Sequence, residues 1–249
     1  MTATPIVLLH AFPLDHRMWD AVAADLAGTR EVIAPDLPVP AGDELPAPAL
    51  EEAADRVADL IRAAGGRAVV AGLSMGGYVA LALLDRHPDL VAGLALVDTK
   101  ATADTPEAAA NRLRIARDVE DAGSVEPVRG MVDVLLGEST LAARPEVRDR
   151  VAAWVEEQDP ARVAWAQRAM SARPDRTDAL RAFDGPVTVV VGDEDTVTGT
   201  DAAEHMTTTA ARSLLVVVPR VGHLSAVEDP AAVATALDEL AQRADGPTA

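Results

Sequence analysis

Six short apolar runs recur along the chain, and longer segments with helical spacing separate them. Several of these runs lack alternating polar residues, which is typical of strands buried on both faces of a parallel sheet. Strands followed by helices imply right-handed crossovers and therefore a three-layer α/β sandwich of about six mainly parallel strands. We predict these strands at residues 6–9, 31–34, 68–71, 94–97, 187–191 and 213–218.

One stretch breaks the alternation. Residues 101–180 contain no convincing strand, and roughly 80 residues of helical pattern are too many for a simple crossover. We therefore predict a helical cap at 101–180, inserted into a core formed by residues 1–100 and 181–249. The helical patterns in the cap lie at 107–121, 126–136, 145–157 and 160–172, and those in the core at 49–64, 75–86 and 229–243. Four prolines make residues 37–48 a predicted stiff surface loop.

Composition excludes several classes of function. The 249 residues include 22 basic and 40 acidic side chains, a net charge of −18 that disfavours nucleic acid and anionic membranes as partners. The absence of cysteine excludes disulfides, thiolate metal sites and a cysteine nucleophile. No transmembrane-length apolar run or signal peptide is recognisable. We expect a cytoplasmic protein, either a monomer or a small homo-oligomer, that acts on a small molecule.

A glycine-rich turn carries the clearest chemical signal. Gly72-Leu73-Ser74-Met75-Gly76-Gly77 follows a predicted strand and opens a predicted helix, which is the setting of a G-x-S-x-G nucleophile turn. Side chains at Gly72 and Gly76 would collide across such a sharp turn, and Gly77 allows the helix to lie close to the sheet. Ser74 is therefore the candidate nucleophile.

A serine nucleophile needs a base, and three histidines follow Ser74 in the chain. His223 comes directly after the last predicted strand, at the sheet edge where open parallel sheets build their sites. His205 falls in the middle of a predicted helix, and His87 lies at the far end of the helix that Ser74 opens. We assign His223 as the base.

An acid should orient the base, and it should follow the next-to-last predicted strand, at 187–191, after which three carboxylates stand at residues 193–195. Asp195 lies furthest into this loop, where the chain can turn back toward the site, so it is the first choice. Asp193 is the next candidate. Asp98 also follows a predicted strand and is a third possible acid.

Two backbone N–H groups should stabilise the oxyanion. Met75 follows the nucleophile and supplies one. Phe12, in the loop after the first strand, supplies the other, because Pro13 has no N–H. His10 precedes this loop and is expected to be structural.

These motifs together resemble the α/β-hydrolase superfamily nearly from end to end, and are most similar to its branch of β-ketoadipate enol-lactone hydrolases and cofactor-free haloperoxidases and esterases. The resemblance implies the triad Ser74, Asp195 and His223. The matching segments are His10-Ala11-Phe12-Pro13-Leu14-Asp15-His16-Arg17-Met18-Trp19, Gly72-Leu73-Ser74-Met75-Gly76-Gly77-Tyr78, Val97-Asp98-Thr99, Gly192-Asp193-Glu194-Asp195 and Gly222-His223.

The chain departs from the family pattern in three places. Ala11 stands where the family usually has glycine, and its methyl group is tolerated unless φ is positive. Residues 36–40 replace the family's Asp-x-Arg-Gly-x-Gly loop, so the pocket wall there is expected to differ. No leading antiparallel hairpin is recognisable, which predicts a smaller, all-parallel sheet.

The resemblance implies a serine hydrolase that cleaves a small carboxylic ester or lactone through an acyl-enzyme, with an enol-lactonase as one option. It implies no metal or organic cofactor. The same motifs also suit a perhydrolase, a C–C bond hydrolase, or a ligand-binding or signalling protein with slow or vestigial catalysis.

The cap should decide the substrate. Aromatic residues make up only 2% of the chain, so the apolar cap residues are candidates for the pocket, with ordinary core packing as the alternative. Three cap arginines are candidates to bind a substrate carboxylate: Arg112, Arg129 and Arg168. The candidate pocket residues are Met131, Leu135, Trp154, Trp165 and Met170.

Overall fold

The computed structural model describes residues 3–38, 45 and 47–246. Its sheet has six strands in the order β2-β1-β3-β4-β5-β6, and every neighbouring pair runs parallel. This confirms the predicted α/β architecture. The strands are β1 Ile6–Leu9, β2 Val32–Ile33, β3 Ala68–Leu73, β4 Val91–Val97, β5 Val187–Gly192 and β6 Ser213–Val218.

Helices flank the sheet on both faces. The helix predicted at 75–86 spans these residues, and Asp229 caps the last helix by accepting a hydrogen bond from the Ala232 N–H at 3.1 Å. The α-helices are α1 Asp20–Leu26, α2 Leu50–Ala63, α3 Met75–Arg86, α4 Pro106–Ala122, α5 Val132–Leu135, α6 Glu138–Ala143, α7 Pro145–Glu156, α8 Pro160–Ser171, α9 Thr177–Arg181, α10 Gly199–Thr209, α11 Ser225–Glu228 and α12 Pro230–Asp245. Short 3-10 turns lie at His16–Trp19, Pro88–Leu90 and Glu126–Met131.

The core lies between the sheet and its two helical layers. Strands β1, β3, β4 and β5 are buried along their whole length, as their unbroken apolar sequences predict. Helices α1 and α12 pack together, and α12 lies across β3, β4 and β5. Helices α2 and α3 pack together, and α3 lies across β1, β3 and β4. Within the described residues, no helix is both long and apolar enough to cross a membrane.

Helices α4 to α9 all fall between β4 and β5, and we keep the name cap for residues 101–180. Helix α4 packs along α8. Where the chain leaves and rejoins the core, the Arg176 N–H donates to the Ala101 carbonyl at 2.9 Å, so the two crossings are joined. In the predicted loop at 37–48, Pro40 and Pro46 lie outside the described residues.

A buried ion cluster reinforces these crossings. The Asp104 carboxylate accepts from Arg112 Nε at 2.6 Å and lies 2.7 Å from Arg173 Nη1 and 3.1 Å from Lys100 Nζ. The Arg173 guanidinium also stacks 3.9 Å from the ring centroid of Tyr78 on α3. Burial raises the pKa of Asp104, but hydrogen bonds from Arg173 and Arg112 outweigh it and hold that pKa well below its ordinary value.

We predict that Asp104→Asn lowers the free energy of unfolding at neutral pH by about 3 kcal/mol or more, because it leaves the buried Arg173 guanidinium without its counterion. Because the pKa of Asp104 is depressed in the folded protein, its ionised carboxylate stabilises the fold at pH values above the ordinary pKa of 3.8. The difference from wild type should therefore shrink as the pH falls below that value. Urea denaturation at several pH values measures both effects.

The matched control is Asp118→Asn, which breaks the exposed ion pair with Arg114 on α4. It should change the free energy of unfolding by less than about 0.5 kcal/mol. Equal effects of the two substitutions would contradict the role of the buried cluster.

Candidate active site

The turn between β3 and α3 places Ser74 in a strained conformation. Its backbone has φ 54° and ψ −110°, a region that a residue with a side chain rarely adopts. The Ser74 N–H donates to the Val97 carbonyl at 2.9 Å, and the Thr99 hydroxyl donates to the Ser74 carbonyl at 2.8 Å. The end of β4 therefore holds both sides of the turn and keeps the serine side chain clear of the backbone.

Close backbone approaches explain the glycines of this turn. A Cβ on Gly72 would lie 2.2 Å from the Gly76 carbonyl oxygen, and a Cβ on Gly76 would lie 2.1 Å from that of Leu9. A Cβ on Gly77 would lie 2.5 Å from the Thr99 hydroxyl. The collision expected across the turn is thus present for Gly72, whereas Gly76 is required by its close approach to the end of β1. Gly77 allows α3 to pack against Thr99, just after β4.

His223 lies between Ser74 and Asp195. Its Nε2 is 2.8 Å from Ser74 Oγ, and its Nδ1 is 3.0 Å from Asp195 Oδ2. All three side chains are buried, and the serine is the most exposed of them at 9%. In the imidazole tautomer that donates its Nδ1–H to Asp195, the Nε2 lone pair faces the serine hydroxyl and can accept its proton.

The carboxylate of Asp195 is ionised despite its burial. Burial raises the pKa of Asp195, but hydrogen bonds from His223 and Thr198 outweigh it and hold that pKa at about 2. The Val197 N–H also donates to this carboxylate at 2.7 Å. The negative charge needed to stabilise an imidazolium at His223 is therefore fixed in place.

The two competing acids have other partners. Asp193 accepts from the Arg220 N–H at 2.6 Å. Asp98 is buried and accepts from the N–H groups of Gly192 at 3.0 Å and Ser225 at 3.1 Å. Burial and the nearby Asp195 raise the pKa of Asp98 to about 7. Asp98 therefore connects the loops that carry Asp195 and His223, a role that sequence reasoning missed.

The other candidate histidines lie elsewhere or have different roles. His205 is exposed on α10, and His87 bonds Asp55 at 2.7 Å. His10 is buried, and its Nδ1 lies 3.0 Å from the Ala11 carbonyl. Its Nε2 accepts from the Leu37 N–H at 2.7 Å, and burial lowers the pKa of the ring. His10 is thus a neutral ring that fixes the loop carrying Phe12.

A cavity of about 210 Å³ lies between this loop and the cap. Phe12 and Met75 both line it, so the two candidate oxyanion donors meet at one cavity. The Met75 N–H is at the first position of α3, where a helix leaves its N–H groups unpaired. Ala11 does not have a positive φ, so its methyl group is accommodated without strain.

The cap closes over this cavity through polar contacts. Gln158 Nε2 donates to Asp15 Oδ2 at 2.7 Å, and Arg17 bonds both Asp15 and Glu157. Burial raises the pKa of Asp15, but hydrogen bonds from Arg17 and Gln158 outweigh it and bring that pKa to about 2. The turn between α7 and α8 is therefore fastened to the loop that follows β1.

The five predicted pocket residues do not line this cavity, which is formed instead by the turn between α7 and α8 and the start of α8. Met131 and Trp154 are half-buried, and Leu135, Trp165 and Met170 are buried. Their contribution to substrate binding stays a prediction. The three cap arginines each face a carboxylate, in the pairs Arg112–Asp104, Arg129–Glu156 and Arg168–Glu120.

One group of side chains has the composition of a metal site. The ligand atoms of Asp15, His16 and Asp36 lie within 4.8 Å of one another. Asp36 Oδ1 already accepts from His16 Nδ1 at 2.8 Å and from the His16 N–H at 2.9 Å. Because Asp15 is bonded to Arg17 and Gln158, hydrogen bonds among protein groups account for this cluster without a metal.

Comparison with known proteins identifies the family. The sequence model of the Alpha/beta hydrolase family matches residues 6–236. The chain belongs to this family. The predicted superfamily is thereby confirmed.

Relatives include hydrolases with different activities. An esterase from Thermogutta terrifontis, solved with malate bound, is 38% identical with a TM-score of 0.92, covering 98% of this chain and 92% of that one. An enol-lactonase from Burkholderia xenovorans LB400 is 23% identical with a TM-score of 0.84, covering 97% and 92%, and shows the fold alone. A pimeloyl-[acyl-carrier protein] methyl ester esterase from Aromatoleum aromaticum is 38% identical over 99 residues, which are 40% of this chain and only 38% of that relative.

We predict that Asp195→Asn lowers kcat for ester hydrolysis by about 10⁴-fold with little change in KM, because the imidazole loses its correct tautomer and its counterion. Asp193→Asn removes a neighbouring carboxylate that does not touch His223, and should alter kcat by no more than about twofold. Steady-state kinetics of the two variants compare the candidate acids. A large loss in Asp193→Asn with none in Asp195→Asn would contradict the assignment.

Proposed function

We propose that this protein is a serine hydrolase that cleaves small carboxylic esters or lactones through an acyl-enzyme. The observation that carries the proposal is the buried line of contacts from Ser74 Oγ through His223 to Asp195, at 2.8 and 3.0 Å. Contacts of this length suit proton transfer from a hydroxyl to an imidazole.

The first half of the reaction forms the acyl-enzyme. His223 Nε2 takes the Ser74 proton as Oγ attacks the carbonyl carbon, and Asp195 stabilises the resulting imidazolium. His223 then gives that proton to the leaving oxygen, which departs as an alcohol or, from a lactone, stays attached as a hydroxyl group. In the second half, His223 activates a water that releases the acid and restores Ser74.

The N–H groups of Phe12 and Met75 are proposed to hold the oxyanion. Both residues line the cavity, Met75 directly follows Ser74 in the chain, and the N-terminus of α3 adds its positive dipole end. Each such donor is worth about 3 kcal/mol of transition-state stabilisation where it has been removed in other enzymes.

The cavity favours small substrates. Its volume of about 210 Å³ is below the range of roughly 300–1,000 Å³ that is common for sites of drug-sized ligands. The chain is 38% identical to the Thermogutta esterase, with 98% of its length covered, and this similarity supports ester cleavage. A lactone offers the same carbonyl to the same nucleophile, so we retain it within the proposal.

We predict that a fluorophosphonate adds once to the wild-type protein, as measured by intact mass, and does not add to Ser74→Ala. His223→Ala should slow the reaction by about 10³-fold or more, because the hydroxyl loses its base. Hydrolysis of p-nitrophenyl acetate and of dihydrocoumarin should disappear together in Ser74→Ala, since both pass through one acyl-enzyme.

The ratio of the two wild-type kcat/KM values then separates an esterase from a lactonase. No adduct on folded wild-type protein would overturn the proposal and favour a ligand-binding protein. An adduct that persists in Ser74→Ala would also overturn it, since the nucleophile would then be another residue.

A further inference from the structure

The backbone of His223 is held by groups that the triad does not include. Glu228, at the end of α11, is 3% exposed. Its Oε1 accepts from the N–H of Gly222 at 3.0 Å and of Leu224 at 3.3 Å, on either side of His223. One carboxylate oxygen therefore fixes the two peptides that flank the candidate base.

The cap supplies the remaining contacts. The His223 N–H donates to the Leu135 carbonyl at 3.0 Å, and the second oxygen of Glu228 accepts from the Gly137 N–H at 3.0 Å. The three consecutive N–H groups of residues 222–224 thus donate either to Glu228 or to the Leu135 carbonyl of the cap. Because an unpaired buried N–H is costly, these acceptors determine where the histidine loop can sit.

Gly137 lets the cap approach this loop without an intervening side chain. A Cβ on Gly137 would lie 2.5 Å from Glu194 Oε2 and 2.7 Å from the Gly222 nitrogen. Its own backbone, at φ −65° and ψ 150°, is ordinary extended conformation, so the requirement for glycine comes from the contact alone.

The acid loop is tied to the same cap segment. Glu194, directly before Asp195, accepts from the Ser139 N–H at 2.8 Å and from the Ser139 hydroxyl. The Glu194 N–H in turn donates to the Val221 carbonyl at 2.9 Å. Both loops of the triad therefore bond one short stretch of the cap, residues 135–139.

We propose that Glu228 is a positioning residue for His223, and that the cap contributes to the same positioning through Gly137. This inference rests on the proposed function, since it concerns the base of that reaction. Glu228 touches neither substrate nor Ser74; it acts by holding the peptides on both sides of His223. The cap is then part of the catalytic geometry as well as a cover for the substrate.

The test compares three variants. Glu228→Gln replaces one acceptor oxygen by an NH₂ group, which must face at least one backbone N–H. Gly137→Ala places a methyl group against Glu194 and the Gly222 peptide from the cap side, without altering any charge. Gly130→Ala is the matched control, since it lies in the cap and a Cβ there has no atom within 4 Å.

Two measurements report the position of His223. One is the rate of fluorophosphonate addition to Ser74, followed by intact mass. The other is the low-field proton NMR signal of the His223 Nδ1–H, assigned by its loss in His223→Ala. We expect Glu228→Gln and Gly137→Ala to slow addition by about tenfold to a hundredfold and to shift or broaden this signal. KM for p-nitrophenyl acetate should change little, and Gly130→Ala should match wild type.

Circular dichroism first establishes whether each variant is folded. If Glu228→Gln does not fold, the comparison of Gly137→Ala with Gly130→Ala tests the inference. Wild-type rates and an unchanged signal in the folded variants would overturn the inference, and so would equal effects of Gly137→Ala and Gly130→Ala. If wild-type protein forms no adduct, the proposed function fails, while the NMR signal still tests whether Glu228 and Gly137 position His223.

Discussion

Ser74 keeps a backbone conformation that side chains usually avoid, at a typical cost of about 1–3 kcal/mol. The turn persists because its surroundings hold it in place. Hydrogen bonds from Ser74 to Val97 and from Thr99 to Ser74 fix both of its sides. Glycine at 72 and 76 lets the neighbouring backbone come so close that an added Cβ would lie 2.1–2.2 Å from a carbonyl oxygen. The parallel sheet is what makes this possible, since β3 and β4 end side by side at the same edge. The same edge carries the loops after β1, β5 and β6, so the position of the candidate nucleophile and that of its partners have one cause.

Carboxylates hold those loops together. Asp98 joins the acid and histidine loops, Glu228 holds the histidine loop, and the half-buried Glu194 ties the acid loop to the cap. Asp98 and Glu228 are buried and accept backbone N–H groups that would otherwise be buried without partners. Burial and the nearby Asp195 raise the pKa of Asp98 to about 7 although its carboxyl group accepts two N–H groups. A network of this kind rigidifies loops that carry little regular structure of their own.

Chain order and local pattern carry part of the information. Ser74, Asp195 and His223 each lie in a segment that follows a strand, and parallel strands bring such positions to one edge, so their meeting could be predicted. The acceptor role of Asp98 could not be predicted, because it depends on N–H groups 94 and 127 residues away in the chain. The contact of Glu228 with the Gly137 N–H, 91 residues away, could not be predicted for the same reason. The residues that line the cavity could not be predicted either, because they depend on how the helices of the cap pack over the core. The choice of pocket candidates by apolar residue type selected side chains such as Met170, which is buried and does not line the cavity.

In the proposed reaction, the hydroxyl of Ser74 and the N–H groups of Phe12 and Met75 face one reacting carbonyl. A crystal structure of the protein after reaction with a fluorophosphonate would show this arrangement, because the phosphonyl group mimics the tetrahedral intermediate. We expect phosphorus bonded to Ser74 Oγ, with its unsubstituted oxygen about 3 Å from both nitrogens. A phosphonyl oxygen that points away from these two N–H groups, or phosphorus bonded to another residue, would contradict it.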